Sequence, residues 1–486
     1  MLTAMLAAWL TRRPLTVLGA LTPPVCYFLA LALLPPGPKS TAAVSLLRSA
    51  LALWSFLTFL ALPFRYYVPA SAAFTYQLGL VGWFGAGRVF ELFVLAPLLP
   101  LRPPAHMRYQ SDTPPVSPAS ATVPLPDVPE RTFKDMDAEP EVEDVRAQRG
   151  WWERAVWALD LMTAMRGVGW DWATADVRHS PSRWHPAPGT QLYRLSTTLL
   201  PTLFLALACL RYLHPAPAQS IYELPLLQQW AFVASLGIAL YTLFDVGYTS
   251  AALLVGLLIP HTHLRDRKTI YNSLLSFPPL YTAPLARVAS LRDWWGRGWH
   301  RLFARYFLVY GVWPGHIMAL TIERLLRSII PSPSPSPSPP NPSANNKPPY
   351  PYPRRTTTHS RLPAPPAGEW GKVLGAFAIS GAVHTVGEFA ALRRFGGAGA
   401  GKVGGEFWFF LLNGVGVLVE EAVRRGVYAV RAGEGKERSY DGYVGKLWTL
   451  LVLLNTGVLF ADGWVRSGII WEVTGGDVWG RIMGGV

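Results

Sequence analysis

Val373 to Leu392 reads VLGAFAISGAVHTVGEFAAL, twenty residues containing a single histidine, His384, and a single carboxylate, Glu388. An uninterrupted apolar run of roughly 20 residues matches the thickness of the hydrocarbon core of a bilayer when wound as a helix. Similar runs recur along the chain: Leu15 to Leu34, Ala43 to Phe64, Ala72 to Pro100, Thr197 to Leu213, Leu227 to Ile259, Phe303 to Leu325, Phe407 to Val423 and Leu447 to Trp464. The expected fold class is therefore an all-α integral membrane protein, a multi-span bundle of about eight transmembrane helices. Composition agrees: 50% of residues are hydrophobic and only 15% charged, which does not suit a water-soluble globule. The apolar run that includes Ala30-Leu31-Ala32 continues to Leu34, so the first segment reads as a retained helix rather than a cleaved signal.

Outward from these runs, five regions separate by composition. Residues 1–100 hold the N-terminal helices. Residues 101–150 are rich in proline, serine and threonine and then acidic, from Asp127 to Asp144, the composition of a solvated loop. Residues 151–330 and 367–486 form two parts of a membrane domain. Between them, residues 331–366 begin PSPSPSPSPP, and alternating proline and serine can form neither a helix nor a central strand, so a polyproline-like spacer is expected.

The net charge of +14 is dispersed over short loops beside apolar runs (Arg265, Arg267, Lys268; Arg393, Arg394; Arg424, Arg425, Arg431). That distribution suits lipid headgroups and argues against a nucleic-acid partner. Basic loops lie at both ends of successive spans, so orientation stays open. Cys26 and Cys209 support neither a disulfide framework nor a zinc site. GGAGAGKV, residues 396–403, approximates a phosphate-binding loop but has Val403 where a hydroxyl would hold magnesium, and reads as a turn. His261 and His263 lack further ligands at metal-binding spacing, and no metal site is expected.

An ionisable side chain within a span is costly, which makes each one a functional candidate. His384 follows the small residues Ser380, Gly381 and Ala382, which allow close approach of a substrate or neighbouring helix. Glu388, one turn later, is a possible orienter of its imidazole, or the end of the span. His316, beside Pro314 and Gly315, is a rival. SLRDWWGRGWHRLF, residues 290–303, interleaves Arg292, Arg297 and Arg301 with Trp294, Trp295 and Trp299 and adds His300, as suits a surface half wet and half apolar. A histidine in an apolar wall near such a surface suits acyl transfer from a thioester to an alcohol, with neutral imidazole taking the hydroxyl proton. No G-x-S-x-G motif occurs, which favours direct transfer over an acyl-enzyme. Two other readings stay open: a transporter with His384 and His316 at mid-membrane, which predicts repeated halves that the sequence lacks, and a non-catalytic scaffold recruiting partners through the Pro-Ser tract.

Four motifs in order, RGVGWDW (Arg166 to Trp172), SLRDWWGRGWH (Ser290 to His300), SGAVH (Ser380 to His384) and FWFFLLNGVGVLVEE (Phe407 to Glu421), resemble the wax synthase-like branch of the membrane-bound O-acyltransferases, especially its fungal members. The resemblance covers roughly residues 150–465. It implies His384 as catalytic base and His300 as the second catalytic position. Arg292, Trp294, Arg297 and Trp299 would shape an acyl-CoA-binding wall, with Arg292 or Arg297 meeting phosphates, and Arg166, Trp170 and Asp171 would contribute to substrate binding. It further implies no bound cofactor, acyl-CoA as co-substrate and an endoplasmic-reticulum-type membrane. The implied acceptor is a hydrophobic hydroxylated molecule, either a long-chain alcohol yielding a wax ester or a terpenoid-like secondary metabolite. The chain departs from the family pattern at Trp294-Trp295, where Phe-Trp is usual, at Gly298, where a second basic residue is usual, and at Asp171, where asparagine is more familiar.

Overall fold

The structure is a computed structural model that describes residues 12–34, 41–99, 150–168, 170, 172, 188–215, 220–258, 277, 279–281, 285–329, 367–393, 403–431 and 441–475. The acidic loop within 101–149, the Pro-Ser spacer, His261, His263, Asp171 and residues 396–402 of the glycine-rich turn lie outside the described residues.

Helices dominate. In chain order they are α1 (Val17–Ala32), α2 (Ala42–Arg65), α3 (Ala72–Leu98), α4 (Trp151–Thr163), α5 (Gly189–Tyr212), α6 (Leu226–Leu258), the short α7 (Leu291–Asp293), α8 (Trp313–Ile329), α9 (Glu369–Leu392), α10 (Gly405–Val430), α11 (Asp441–Arg466) and α12 (Ile469–Val473). Their starts follow from side-chain chemistry. Thr16, Thr41 and Ser71 stand in extended conformation before α1, α2 and α3, and each hydroxyl accepts from an amide of the first turn that has no helical partner. Two-residue strands β1 (Arg13–Pro14) and β2 (Tyr66–Tyr67) pair in parallel and tie the start of α1 to the end of α2.

Among the described residues, α2, α3, α5, α6, α9 and α11 are long and apolar enough to cross a membrane, six where about eight were expected. Three apolar runs depart for distinct reasons. The first forms a helix of 16 residues with Pro23 and Pro24 inside it, shorter than a spanning segment needs. The run from Phe303 is divided by a π-helical turn at Leu308–Val312, and α8 beyond it carries Glu323, Arg324 and Arg327. The run from Phe407 lies in α10, whose length is sufficient but whose Glu406, Glu420, Glu421, Arg424 and Arg425 lower its apolar character.

The two larger apolar cores among the described residues lie beside α9. Tyr27, Leu31, Phe59, Leu62, Val89, Leu161 and Trp170 join α1 to α4, and Leu203, Leu210, Phe232, Phe409, Phe410, Phe460 and Val465 join α5, α6, α10 and α11. Helix α9 lies against α3, α8 and α10. Outward-facing Leu46, Phe204, Leu205, Leu227 and Leu447 remain exposed, as suits side chains meeting lipid rather than water. Charge is buried where Glu91 opens a π-helical turn of α3 and accepts from Arg88 and Arg305, each at 2.7 Å. Both carboxylate oxygens thus have a donor, which offsets the cost of burying them.

Candidate functional site

The tryptophan-arginine segment is sorted by its own helical geometry. Ser290 caps its start by accepting from the Asp293 amide, and a π-helical turn spans Trp294–Gly298. One face turns in: Leu291 is fully buried and its amide donates to Glu420, and the Trp295 indole donates to Asn413 at 3.1 Å among Phe377, Phe409 and Phe410. The opposite face turns out. Arg292 reaches Glu421 at 3.6 Å and Arg297 pairs with Asp293, with 62% and 61% of their side chains accessible. Trp294 packs against Trp299, which in turn borders Tyr241 and Phe244 of α6.

His300 follows directly. Its ring lies against Phe244 with centroids 4.3 Å apart, flanked by Trp299 and Phe303. Its Nδ1 is buried without a hydrogen-bond partner among the described residues. Burial pushes its pKa down to about 3, and positive charge at His384 or Arg166 acts in the same direction. Arg166 donates to the Tyr248 hydroxyl at 3.0 Å and the Pro279 carbonyl at 3.1 Å. Trp170, by contrast, is fully buried in the N-terminal core against Trp157, at 5.7 Å.

His384 projects from α9 into an arrangement drawn from four helices. Its Nδ1 is 2.8 Å from the Tyr76 hydroxyl of α3 and 3.3 Å from Oε2 of Glu406, in the first turn of α10. Tyr76 also lies 2.5 Å from that Oε2, and the Trp464 indole of α11 donates to the other carboxylate oxygen at 3.0 Å. Phe410 stacks on the imidazole at 4.7 Å and Phe460 meets it edge-on at 5.7 Å. Glu406 is sealed, with none of its side chain accessible, whereas 24% of the His384 side chain is open. Among the described residues Nε2 has no hydrogen-bond partner and is not sealed, which leaves it as the ring nitrogen open to a ligand.

Sequence spacing offers Glu388 as a possible orienter of His384 or as the end of the span; the carboxylate beside the imidazole among the described residues is Glu406. Glu388 is buried one turn further along α9, and its Oε2 accepts from the Gly404 amide at 2.9 Å. The physical reason is local: α10 starts with Gly404 in left-handed backbone at φ +113° and without a side-chain cap, so its first amides draw a nearby carboxylate. Glu406 carried one legible signal, an ionisable residue opening an apolar run. Tyr76 carried none, lying 308 residues from its histidine partner. The rival His316 sits apart, with Nδ1 3.2 Å from the Gly368 carbonyl ahead of α9.

No family model matches the chain, and no solved structure matches it. It is similar to two curated fungal proteins. It is 26% identical over 301 residues to the O-mevalon transferase macI of Penicillium terrestre, covering 60% of this chain and 58% of that protein. It is 25% identical over 335 residues to the O-mevalon transferase yanI of Aspergillus niger, covering 65% of this chain and 64% of that protein. The matches thus span about three-fifths of the length of these relatives, and they tie the chain to proteins named as transferases.

Proposed function

We propose that this chain is an integral-membrane O-acyltransferase that moves an acyl group from acyl-CoA to the hydroxyl of a hydrophobic acceptor. The observation that carries the reading is His384: an imidazole set in aromatic surroundings, tied at Nδ1 and open at Nε2. Nε2 accepts the acceptor's O–H proton as that oxygen bonds to the thioester carbonyl carbon. When the tetrahedral intermediate collapses, the carbon–sulfur bond breaks and the proton passes from Nε2 to the departing sulfur. Positioned proton transfer of this kind contributes about 10²–10⁴-fold. Apolar walls also limit water, which would otherwise hydrolyse the thioester.

His300 is the second catalytic group. Held neutral, it supplies an N–H to the carbonyl oxygen as negative charge develops there. Arg292 and Arg297, on the accessible face, meet the phosphates of coenzyme A, while Trp294 and Trp299 form the wall between headgroup and interior. Arg166 lies on the His300 side of the site, and Asp171 joins it in the RGVGWDW motif. The relatives' name supports O-transfer involving a terpenoid-like metabolite over a simple wax alcohol. An endoplasmic-reticulum-type membrane suits both. Purified protein in detergent, given labelled acyl-CoA and a panel of hydroxylated lipids and terpenoids, should form ester. Folded protein that forms none with any donor or acceptor would overturn the reading.

A further inference from the structure

We infer that Tyr76 and Glu406 are positioning residues that set the tautomer of His384, with Glu406 acting through the tyrosine hydroxyl. The inference rests on reading His384 as the base. The Tyr76 hydroxyl owns one proton and lies within bonding distance of two acceptors, Glu406 Oε2 at 2.5 Å and His384 Nδ1 at 2.8 Å. The carboxylate decides which receives it. Both Glu406 oxygens accept, one from Tyr76 and one from the Trp464 indole, which can only donate. With Tyr76 donating to Glu406, its oxygen is left to accept, and the groups facing it among the described residues are the Trp464 indole, already donating to Glu406, and Nδ1 of His384 at 2.8 Å, which meets it as Nδ1–H. A neutral imidazole protonated at Nδ1 has its lone pair at Nε2, the accessible nitrogen. The reverse polarity, with Tyr76 donating to Nδ1, would place the proton on Nε2 and leave no base facing the substrate.

Position supports the polarity. Burial pushes the Glu406 carboxyl well up, and against it act the two donors, Tyr76 and Trp464, together with the first-turn amides and dipole of α10, all of which favour the carboxylate. Trp464 fixes one oxygen and Tyr76 the other, so neither can turn away without leaving a buried polar group unpaired. Orientation of a histidine by a partner on its second nitrogen is the general way proteins choose between the two tautomers.

The test uses Glu406→Gln, Glu406→Asp and Tyr76→Phe in the full chain, beside His384→Gln as reference. Two readouts are taken: kcat and KM for ester formation, and the ¹⁵N spectrum of histidine-labelled protein, in which the His384 resonances are those that His384→Gln removes. Wild type should show the Nδ1-protonated tautomer. Glu406→Gln presents an amide N–H to Tyr76, reverses the line of donors and should shift the tautomer to Nε2–H, with kcat falling about 10²–10⁴-fold and KM within about twofold. Glu406→Asp should recover at least tenfold of that loss, and Tyr76→Phe should lower kcat by about 10–100-fold. An Nε2-protonated His384 in wild type overturns the inference, as does kcat within threefold of wild type in folded Tyr76→Phe. Should Glu406→Gln not fold, Tyr76→Phe and the wild-type spectrum decide alone. The spectrum does not depend on turnover, so a correct tautomer in a protein that makes no ester would refute the acyltransferase reading and leave this one standing.

Discussion

Helix α9 meets its neighbours in two ways, and two of the histidines that the sequence puts forward divide between them, His316 of α8 beside its start and His384 within its second half. Toward its start, Gly371 and Gly375 face Gly311 and Gly315 so closely that a β-carbon at Gly375 would lie 2.1 Å from the Gly311 carbonyl oxygen. His316 is at this end, bonded to the carbonyl of Gly368. Toward the other end, Ser380 to Glu388 face Tyr76, Glu406 and the rings of Phe410 and Phe460. A seam closed by backbone leaves no room for a substrate, whereas side chains from three other helices can leave one face of a ring open. Two histidines in apolar runs thus receive different work: one ties helix α8 to the start of α9, and the other presents a nitrogen.

The sharpest way to break this contrast is His384→Ala. Ester formation per mole of folded, monodisperse protein should drop by about 10²–10⁴-fold, and near-normal turnover would return His316 to candidacy. His300→Ala comes next. Loss of its N–H should cost about 3 kcal/mol of transition-state stabilisation, read as kcat/KM, and His300→Asn should be milder because a donor remains.

The sealed end should respond in stability instead. Gly375→Val drives a branched side chain into the backbone of the segment before α8, and the thermal midpoint should fall by the equivalent of about 1–3 kcal/mol. Gly426→Ala, where no atom lies within 4 Å of the added carbon, is its control and should not destabilise. A smaller effect concerns pH. His300 has a folded pKa of about 3 against 6.5 for the free side chain. Below pH 6.5 the unfolded chain therefore binds a proton that the folded chain does not, so stability is full above that pH and declines as pH falls toward 3. The wild-type midpoint should drop between pH 7 and pH 5, and His300→Asn should flatten that decline. The smallest expected change is His316→Ala, which loses one hydrogen bond worth about 0.5–1.5 kcal/mol and should keep turnover within threefold.

Local chemistry accounts for much of the architecture. Apolar runs of spanning length, hydroxyls at Thr41 and Ser71 before them, and the His384 span are readable because a helix is built from neighbours in sequence, and a bilayer selects on length and apolarity alone. The alternation of tryptophan and arginine from 290 to 300 was equally legible as a half-wet surface. Which of its rings turn inward depended on Asn413, more than a hundred residues away, offering an acceptor to Trp295 but not to Trp294.

Long-range packing decided the rest. Glu388 is a turn from His384 and by spacing could either orient it or end the span, yet its carboxylate meets Gly404, because the unpaired amides of α10 begin there. Tyr76 and Glu406 come to His384 only because α3 and α10 pack on either side of α9, and spacing along one helix carries no information about which residues of other helices will stand opposite it. Sequence by itself determined that His384 lies in an apolar helix, since hydropathy is a property of contiguous residues. Tertiary structure alone decided which of its nitrogens is tied and which is open, because an imidazole's chemistry is set by hydrogen-bond partners that the chain delivers from 308 residues upstream and 22 downstream.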